Sequence, residues 1–365
     1  MRARTACLIT ALALLGPALP ASAQETDTTF HEQLEVTEVL LDVLVTDDRG
    51  NVILGLDEDD FVIEDGGRAV DVSSATFYSN RRYVDTADVA GRLGIEKADV
   101  PVDRYFVLFF HDQRALDHSL IRSQVDAVRR AKEWVTSELL PNDWVAVVSY
   151  DARLRLHEDF TTDNAALMRA LDDVLKGREP RGVWASRTDA QSGPSLAVNL
   201  PQGKALSKAT TRIYSALTEV AEAAGYILGR KNLMLFSLGF GEVGEFGNYN
   251  QDSRYYNPMM QALNDNNVAV YTISWLENQS EEIAGWSSLQ NALSVLADDT
   301  GGRYYFNFVD FQDPLKRVTE DNNGYYLLAY SSEHPRGEEG YRKVSVRTIN
   351  PAFVVRARQG YAYGG

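Results

Sequence analysis

Tyr105-Phe106-Val107-Leu108-Phe109-Phe110 is six apolar residues in a row. A strand with one face in water alternates apolar and polar residues. An unbroken run of this length needs cover on both faces, as in a parallel sheet between two helix layers. The next segment has the other period. Ile121, Val125, Val128, Val135 and Leu139 mark the stripe of a long helix that Pro141-Asn142-Asp143 breaks. Trp144 to Tyr150 is a second buried strand, and Arg153 to His157 a short alternating one. Thr162 or Asp163 caps a helix carrying Leu167, Leu171, Val174 and Leu175. Beyond a long polar loop, Ile213, Leu217, Val220, Ala224 and Leu228 mark another helix. Strand signals then recur at Asn232–Leu238, Val268–Ser274 and Tyr304–Phe306, and helix signals at Arg254–Asn266, Leu289–Leu296 and Phe311–Asp321. This alternation over 104–321 predicts an α/β fold with a doubly wound, mostly parallel sheet.

Outside that segment the style is different. Over 34–79, Val36, Val39, Leu41, Val43 and Val45 sit among Thr, Glu and Asp with a period near two. The turns Asp47-Asp48-Arg49-Gly50-Asn51, Asp57 to Asp60 and Glu64-Asp65-Gly66-Gly67 separate short strands at Val52–Leu54, Phe61–Ile63 and Ala69–Tyr78. That spacing predicts the N-terminal part of a β-sandwich. Residues 80–103 read as a linker. In the tail, 322–365, Tyr325–Ser331, Arg342–Thr348 and Phe353–Arg358 alternate as strands with no helices to pair with. They are expected to complete the sandwich, leaving the α/β segment inserted within it; the alternative is a separate C-terminal β-module.

Residues 1–23 are expected to be a secretory signal: Arg2 and Arg4, then an apolar run from Ala6 to Leu15, then Ala21-Ser22-Ala23. The run is too short to cross a bilayer core of ~30 Å. The reading is therefore an exported protein, periplasmic or extracellular, without a membrane anchor. The one cysteine, Cys7, lies inside that signal, so no disulfide, thiol nucleophile or Cys-zinc site is expected. With 36 Lys and Arg against 52 Asp and Glu, the net charge of −16 argues against nucleic acid as a partner.

The order of elements resembles a von Willebrand factor A domain. Ala297-Asp298-Asp299-Thr300-Gly301-Gly302-Arg303-Tyr304-Tyr305 resembles the segment before that family's last strand. The flanks are similar to bacterial VWFA-related secreted proteins. On the N-terminal side these are Val43-x-Val45-x-Asp47 through Gly50, Gly55-Leu56 and Asp60-Phe61-x-x-x-Glu64-Asp65-Gly66. On the C-terminal side it is Arg356-x-Arg358-x-Gly360-Tyr361. The resemblance implies a divalent-ion adhesion site built from Asp-x-Ser-x-Ser after the first strand, a later Thr, and an Asp after the fourth strand. Asp112 and Thr211 match two of these positions. Arg114 and Leu116 stand where the serines would be, and Ser237-Leu238-Gly239 lacks the last carboxylate. The expectation is a degenerate site and no cofactor, Mg²⁺ or Ca²⁺ being the ion it would take.

His111, Asp112, Asp117 and His118 have zinc-type ligand chemistry, although Asp117 as a helix cap with polar loop histidines explains them more simply. Asp57-Glu58-Asp59-Asp60 lacks EF-hand spacing and reads as a solvated turn. No nucleophile elbow, His-Glu-x-x-His or Walker loop is present. In an open parallel sheet, ligands meet the C-terminal strand ends. The loops expected there, 111–118, 177–204, 239–255 and 275–286, carry Trp184, Phe240, Phe246, Tyr249, Tyr255, Tyr256, Trp275 and Trp286 beside Glu242, Glu245 and Asp252. The function expected is a non-enzymatic module binding a protein or peptide through these loops. The alternatives are a metal-dependent adhesion module using Asp112 and Thr211 with Asp117, Ser119 or Glu242 as substitute ligands, and a hydrolase in the same crevice.

Overall fold

The computed structural model describes residues 34–79, 103–113, 120–180, 193–243, 249–250, 252–274, 286–306, 314–335 and 339–364. The expected signal and all but the last residue of the expected linker lie outside them. Strand β1 (Leu34–Thr46) buries Val39, Leu41, Val43 and Val45. In the turn after it, the Asp47 carboxylate accepts from the Arg49 and Asn51 N–H groups and from Asn51 Nδ2, while Gly50 takes φ +88°. Val52 makes only an isolated bridge to Thr46, where a strand was expected. Asp57 to Asp60 is a capped 3₁₀ turn: Asp57 accepts from Asp59 N–H at 3.1 Å, and Asp60 from Asp57 N–H at 3.0 Å. Strands β2 (Phe61–Asp65), β3 (Arg68–Val70) and β4 (Val72–Ser79) follow.

The α/β segment runs β5 (Arg104–His111), α1 (Leu120–Ser137), β6 (Asp143–Tyr150), β7 (Leu154–Thr161), α2 (Asn164–Leu175), α3 (Lys204–Ala209), α4 (Ile213–Ala223), β8 (Lys231–Phe236), β9 (Glu242–Val243), β10 (Tyr249–Asn250), α5 (Ser253–Asp265), β11 (Val268–Ile273), α6 (Trp286–Asp299), β12 (Tyr304–Tyr305) and α7 (Pro314–Asp321). Six strands form one sheet in the order β12-β11-β8-β5-β6-β7. All neighbours are parallel except β7, which runs antiparallel at the edge. Alternate residues of the apolar runs face opposite helix layers. Val107 and Phe109 pack with α4, α5 and α6, whereas Phe106, Leu108 and Phe110 pack with α1, α2 and α7.

Within the α/β segment, three local expectations differ from the structure. Along α1 the buried residues are Gln124, Ala127, Val128, Ala131, Trp134 and Val135, while Ile121 and Val125 face solvent. Helix α4 ends at Ala223, and Leu228 is 90% exposed. The chain leaves that helix through Gly225, where a Cβ would stand 2.0 Å from Asn266 Oδ1 and would displace that side chain. The third is the short helix α3, which the polar sequence of 177–204 and its neighbours did not announce.

Strands β13 (Gly324–Pro335), β14 (Gly340–Thr348), β15 (Val354–Arg356) and β16 (Gly360–Tyr363) close the chain. They join the first four strands in two four-stranded sheets, β15-β1-β13-β4 and β16-β14-β2-β3. Leu41, Val43, Tyr326, Leu328 and Tyr330 from one sheet share a core with Phe61, Ile63, Val344 and Tyr361 from the other. The α/β segment is thus inserted in a β-sandwich between β4 and β13. The two flanking sequence motifs meet here. Tyr361 Oη donates to Asp65 Oδ2 at 3.0 Å and lies 2.8 Å from Ser332 Oγ. Arg356 pairs with Asp321 at 2.7 Å, and Arg358 donates to Asn264 O at 2.6 Å and to Leu40 O at 2.8 Å. The tail therefore ties the sandwich to the α/β segment through polar contacts with α5 and α7.

Candidate functional site

Strand order reverses between β5 and β8, so the crevice beyond their C-terminal ends is the topological switch point, where an open α/β sheet binds ligands. It is lined by His111 at the end of β5, by Asp112 and Gln113, and by Ser237-Leu238-Gly239 just beyond β8. His111 Nδ1 lies 2.9 Å from Ser237 Oγ. The buried Gln113 amide donates to Gly239 O at 3.0 Å and accepts from Leu238 N–H at 2.9 Å. Ser237 Oγ also accepts from Gly239 N–H at 3.1 Å. Gly239, at φ +119°, passes so close to α6 that a Cβ would stand 2.4 Å from Leu289 O. Asp112 is half-buried, with its N–H donated to Tyr150 O at 2.8 Å.

Gln113 was not singled out by the sequence, since an amide beside Asp112 carries no pattern of its own. In the fold it joins the two loops at the switch point. Gln113→Leu should lower stability by roughly 1–3 kcal/mol, because it leaves Leu238 N–H and Gly239 O buried without that partner; urea unfolding measures this.

These residues do not fit a hard divalent ion. Such an ion needs converging carboxylate and hydroxyl oxygens. Where the last carboxylate would stand, Leu238 is 1% exposed and packs in the apolar layer with α1 and α7. Ser237 Oγ and Gln113 Oε1 are engaged in hydrogen bonds within the cluster. Thr211 is exposed at the start of α4. Its neighbour Thr210 is the buried one, accepting from Leu154 N–H at 3.1 Å and donating to Leu206 O at 2.8 Å. Among the described residues no three His, Cys, Asp or Glu side chains converge.

The aromatic residues expected in the loops divide. Phe240 is core: it is buried and packs edge-on against Tyr214 at 5.4 Å. Tyr256 is buried too, its hydroxyl donating to Asp299 Oδ2 at 2.7 Å. Both bury because they lie on the side of the sheet that α4, α5 and α6 cover. Tyr255 stays half-exposed, with the Arg212 guanidinium 4.4 Å and that of Arg254 5.6 Å from its ring centroid. Arg212, which the sequence did not single out, stands beside Thr211. Glu242 and Tyr249 belong to the short β9–β10 ladder, where Tyr249 pairs with Val243 and Glu242 with Asn250. Asp117, His118, Ser119, Trp184, Glu245, Phe246 and Trp275 lie outside the described residues, and for Trp286 only the backbone is described, at the start of α6.

Of the loop 177–204, the described part from 193 to 197 does not stay at the C-terminal strand ends. Ser195 Oγ and the Leu196 and Ala197 N–H groups donate to the buried Asp159 carboxylate. A Cβ on Gly193 would touch Trp144, at the opposite end of β6. This segment is clamped along the sheet rather than offered to a partner.

Burial pushes the His111 imidazole down to about 4. Burial and the neighbouring Arg155 do the same to His157, also to about 4, with Ser149 Oγ 2.7 Å from its Nε2. Both rings are neutral in the folded protein near pH 7, and the unfolded chain takes up protons first as pH falls through ~6.5. The contribution of these two groups to stability is expected to be level above that pH and to fall between ~6.5 and ~4. Denaturant midpoints across this range check it: His157→Gln and His111→Gln should each flatten the slope.

No family model and no curated protein matches the sequence. Among solved structures the chain is similar to VWA2, an ArnB paralog from Sulfolobus acidocaldarius, at 12% identity and TM-score 0.34, over 90% of this chain and 75% of that one. It is similar to a von Willebrand factor type A protein from Catenulispora acidiphila at 9% identity and TM-score 0.36, over 89% and 74%. It is also similar to proximal thread matrix protein 1 of the mussel byssus at 14% identity and TM-score 0.38, over 60% and 47%. The chain spans about half the length of that mussel protein. The strand order, with its antiparallel edge strand, is that of a doubly wound, mostly parallel sheet. In its order of strands and helices the α/β segment agrees with the fold that the resemblance implies. Among the described residues, no helix is long and apolar enough to cross a membrane.

Proposed function

We propose that this protein is an exported, non-enzymatic binding module. It engages a protein or peptide through the C-terminal end of its parallel sheet, without a divalent ion at the switch point. The observation that carries this reading is Leu238, buried in the core where an ion-dependent adhesion site needs a carboxylate. The neighbouring polar atoms are committed to the His111–Ser237–Gln113 cluster. What the start of α5 offers instead is the half-exposed Tyr255 with the Arg212 and Arg254 guanidiniums against its ring, Arg212 standing next to the exposed Thr211. Tyr and Arg are the residue types that most often anchor protein interfaces.

The test is capture of partners from the secreted fraction of the producing cells. A partner held by the wild type should be lost with Tyr255→Ala and with Arg212→Glu, and kept in EDTA. Melting of the protein should not shift with Mg²⁺, Ca²⁺, Mn²⁺ or Zn²⁺. An ion bound only by the folded state raises stability by about 2.7 kcal/mol at a hundred times its Kd. Such a rise, together with loss of the partner in EDTA, would overturn this reading in favour of ion-dependent adhesion through Asp112 and Thr211.

A further inference from the structure

Strand β1 has two unequal sides. Over Leu34–Val43 it pairs with β13, whereas β15 on its other side takes only Leu44, Val45 and Thr46. The first half of β1 is therefore the margin of its sheet. Hydrogen bonds show which backbone groups that margin presents. Glu333, opposite Val36, gives its C=O to Arg342 Nη1 at 2.9 Å and so points away from β1. Residues opposite one another in an antiparallel ladder either bond each other or both point away, so Val36 points away from β13 too. Leu40 agrees, because its C=O accepts from Arg358, two residues beyond β15, at 2.8 Å. By the two-residue alternation, the N–H and C=O of Val36 and Glu38 face the margin. Among the described residues no strand lies beside them. The stretch is also accessible: Val36 is 64% and Leu40 49% exposed, and Thr37 and Glu38 are exposed between them. Further along, Arg358 caps Leu40 and Asp42 is buried against Asn267, so the open edge ends there.

The side chains of this edge have a pattern. Val36, Glu38 and Leu40 alternate on the outer face, while Val39 and Leu41 enter the sandwich core. Glu38, and Glu333 beside Val36 on β13, are exposed and form no ion pair among the described residues. A strand laid along the edge sets one residue opposite Glu38 and its flanking neighbours opposite Val36 and Leu40. Lys or Arg suits the first position and apolar side chains the other two. A second copy would bring its own Glu38 to the same edge on a chain of net charge −16, and like charges oppose that occupant.

We propose that the first half of β1 docks an extended, basic segment of a partner protein, which joins the sheet as a further strand. Backbone hydrogen bonds to Val36 and Glu38 hold the segment, and its Lys or Arg opposite Glu38 selects it. Exposed strand edges pair readily with other chains. This surface belongs to the sandwich and acts independently of the switch point in the α/β segment.

The probes are an acetylated seven-residue peptide with Val at positions 2 and 6, Lys at position 4 and Thr elsewhere, its counterpart with Glu at position 4, and the Lys peptide N-methylated at positions 2, 4 and 6. Fluorescence anisotropy should show saturable binding of the unmethylated Lys peptide only. Glu38→Lys should weaken it about tenfold, since an attractive cross-strand pair becomes a repulsive one. Val36→Pro should abolish it. That substitution removes the outward N–H and leaves the β13 ladder whole, so the variant should melt like the wild type. Hydrogen exchange at Glu38 N–H should slow when the peptide is bound. Equal binding of the Glu or N-methylated peptide, no saturation at millimolar peptide, or full binding by Val36→Pro would overturn the proposal. A clearly lower melting temperature of Val36→Pro would overturn it as well, because it would place that N–H in the β13 ladder. So would concentration-dependent self-association lost in Val36→Pro, which would make the occupant a second copy of this chain.

Discussion

Leu238→Asp is expected to cost this protein on the order of 4 kcal/mol, and adding Mg²⁺ is not expected to restore it. The substitution supplies the carboxylate that the resembling family carries after its fourth strand. Here, however, Leu238 faces the apolar layer under α1 and α7, beside Phe236 and Leu315. A charge placed there loses its hydration and the Leu loses its packing, and either effect alone reaches several kcal/mol. Against a total stability of about 5–15 kcal/mol, that is enough to unfold much of the protein at moderate temperature. Thermal unfolding with and without millimolar Mg²⁺ checks this. A variant that melts normally once Mg²⁺ is added would mean that position 238 can face an ion, and the ion-free reading of the crevice would fail.

The second large effect lies at the other end of the sheet. Arg104 and Asp143, at the starts of β5 and β6, form a fully buried two-pronged pair, Nε to Oδ1 at 2.7 Å and Nη2 to Oδ2 at 2.6 Å. Arg104 also donates to Thr319 O at 3.2 Å, and Trp134 Nε1 to Thr319 Oγ1 at 2.8 Å, so the pair joins β5 and β6 to α1 and α7. Arg104→Met or Asp143→Leu alone should cost about 3–5 kcal/mol, because each strands a buried charge. The double substitution should cost clearly less than the two together, since apolar side chains of similar size replace both charges. It will not return fully to wild type, because Asp143 also accepts from Leu140 N–H at 2.7 Å. A double-mutant cycle by denaturant unfolding gives the coupling. Single costs below about 1 kcal/mol would place the pair in contact with water and defeat the argument.

The fold was legible where one physical rule acts alone. Apolar runs such as Phe106–Phe110 must be covered on both faces, and helix periodicity between them supplies the cover. The errors came where neighbours decide. Ile121 and Val125 look like core residues by spacing, yet α1 is turned so that Trp134 fills the layer instead. Leu228 continues an apolar period beyond the point where Gly225 must pass Asn266. Around the crevice, the missing carboxylate at Leu238 was visible directly, whereas the role of Gln113 depends on how close two loops come. Thr210 and Thr211 differ by one position along the chain, and only the approach of Leu154 decides which one is buried.

By itself the sequence determined the class of each segment, the parallel sheet between helix layers, and the absence of an aspartate after the fourth strand. These follow from residue type and spacing, which are local properties. Only the tertiary structure decided that β1 pairs with β13 across nearly the whole chain, and that Phe240 and Tyr256 are core while Tyr255 is presented. Each of these depends on which surfaces meet once the chain has closed, and spacing along the chain carries no record of that.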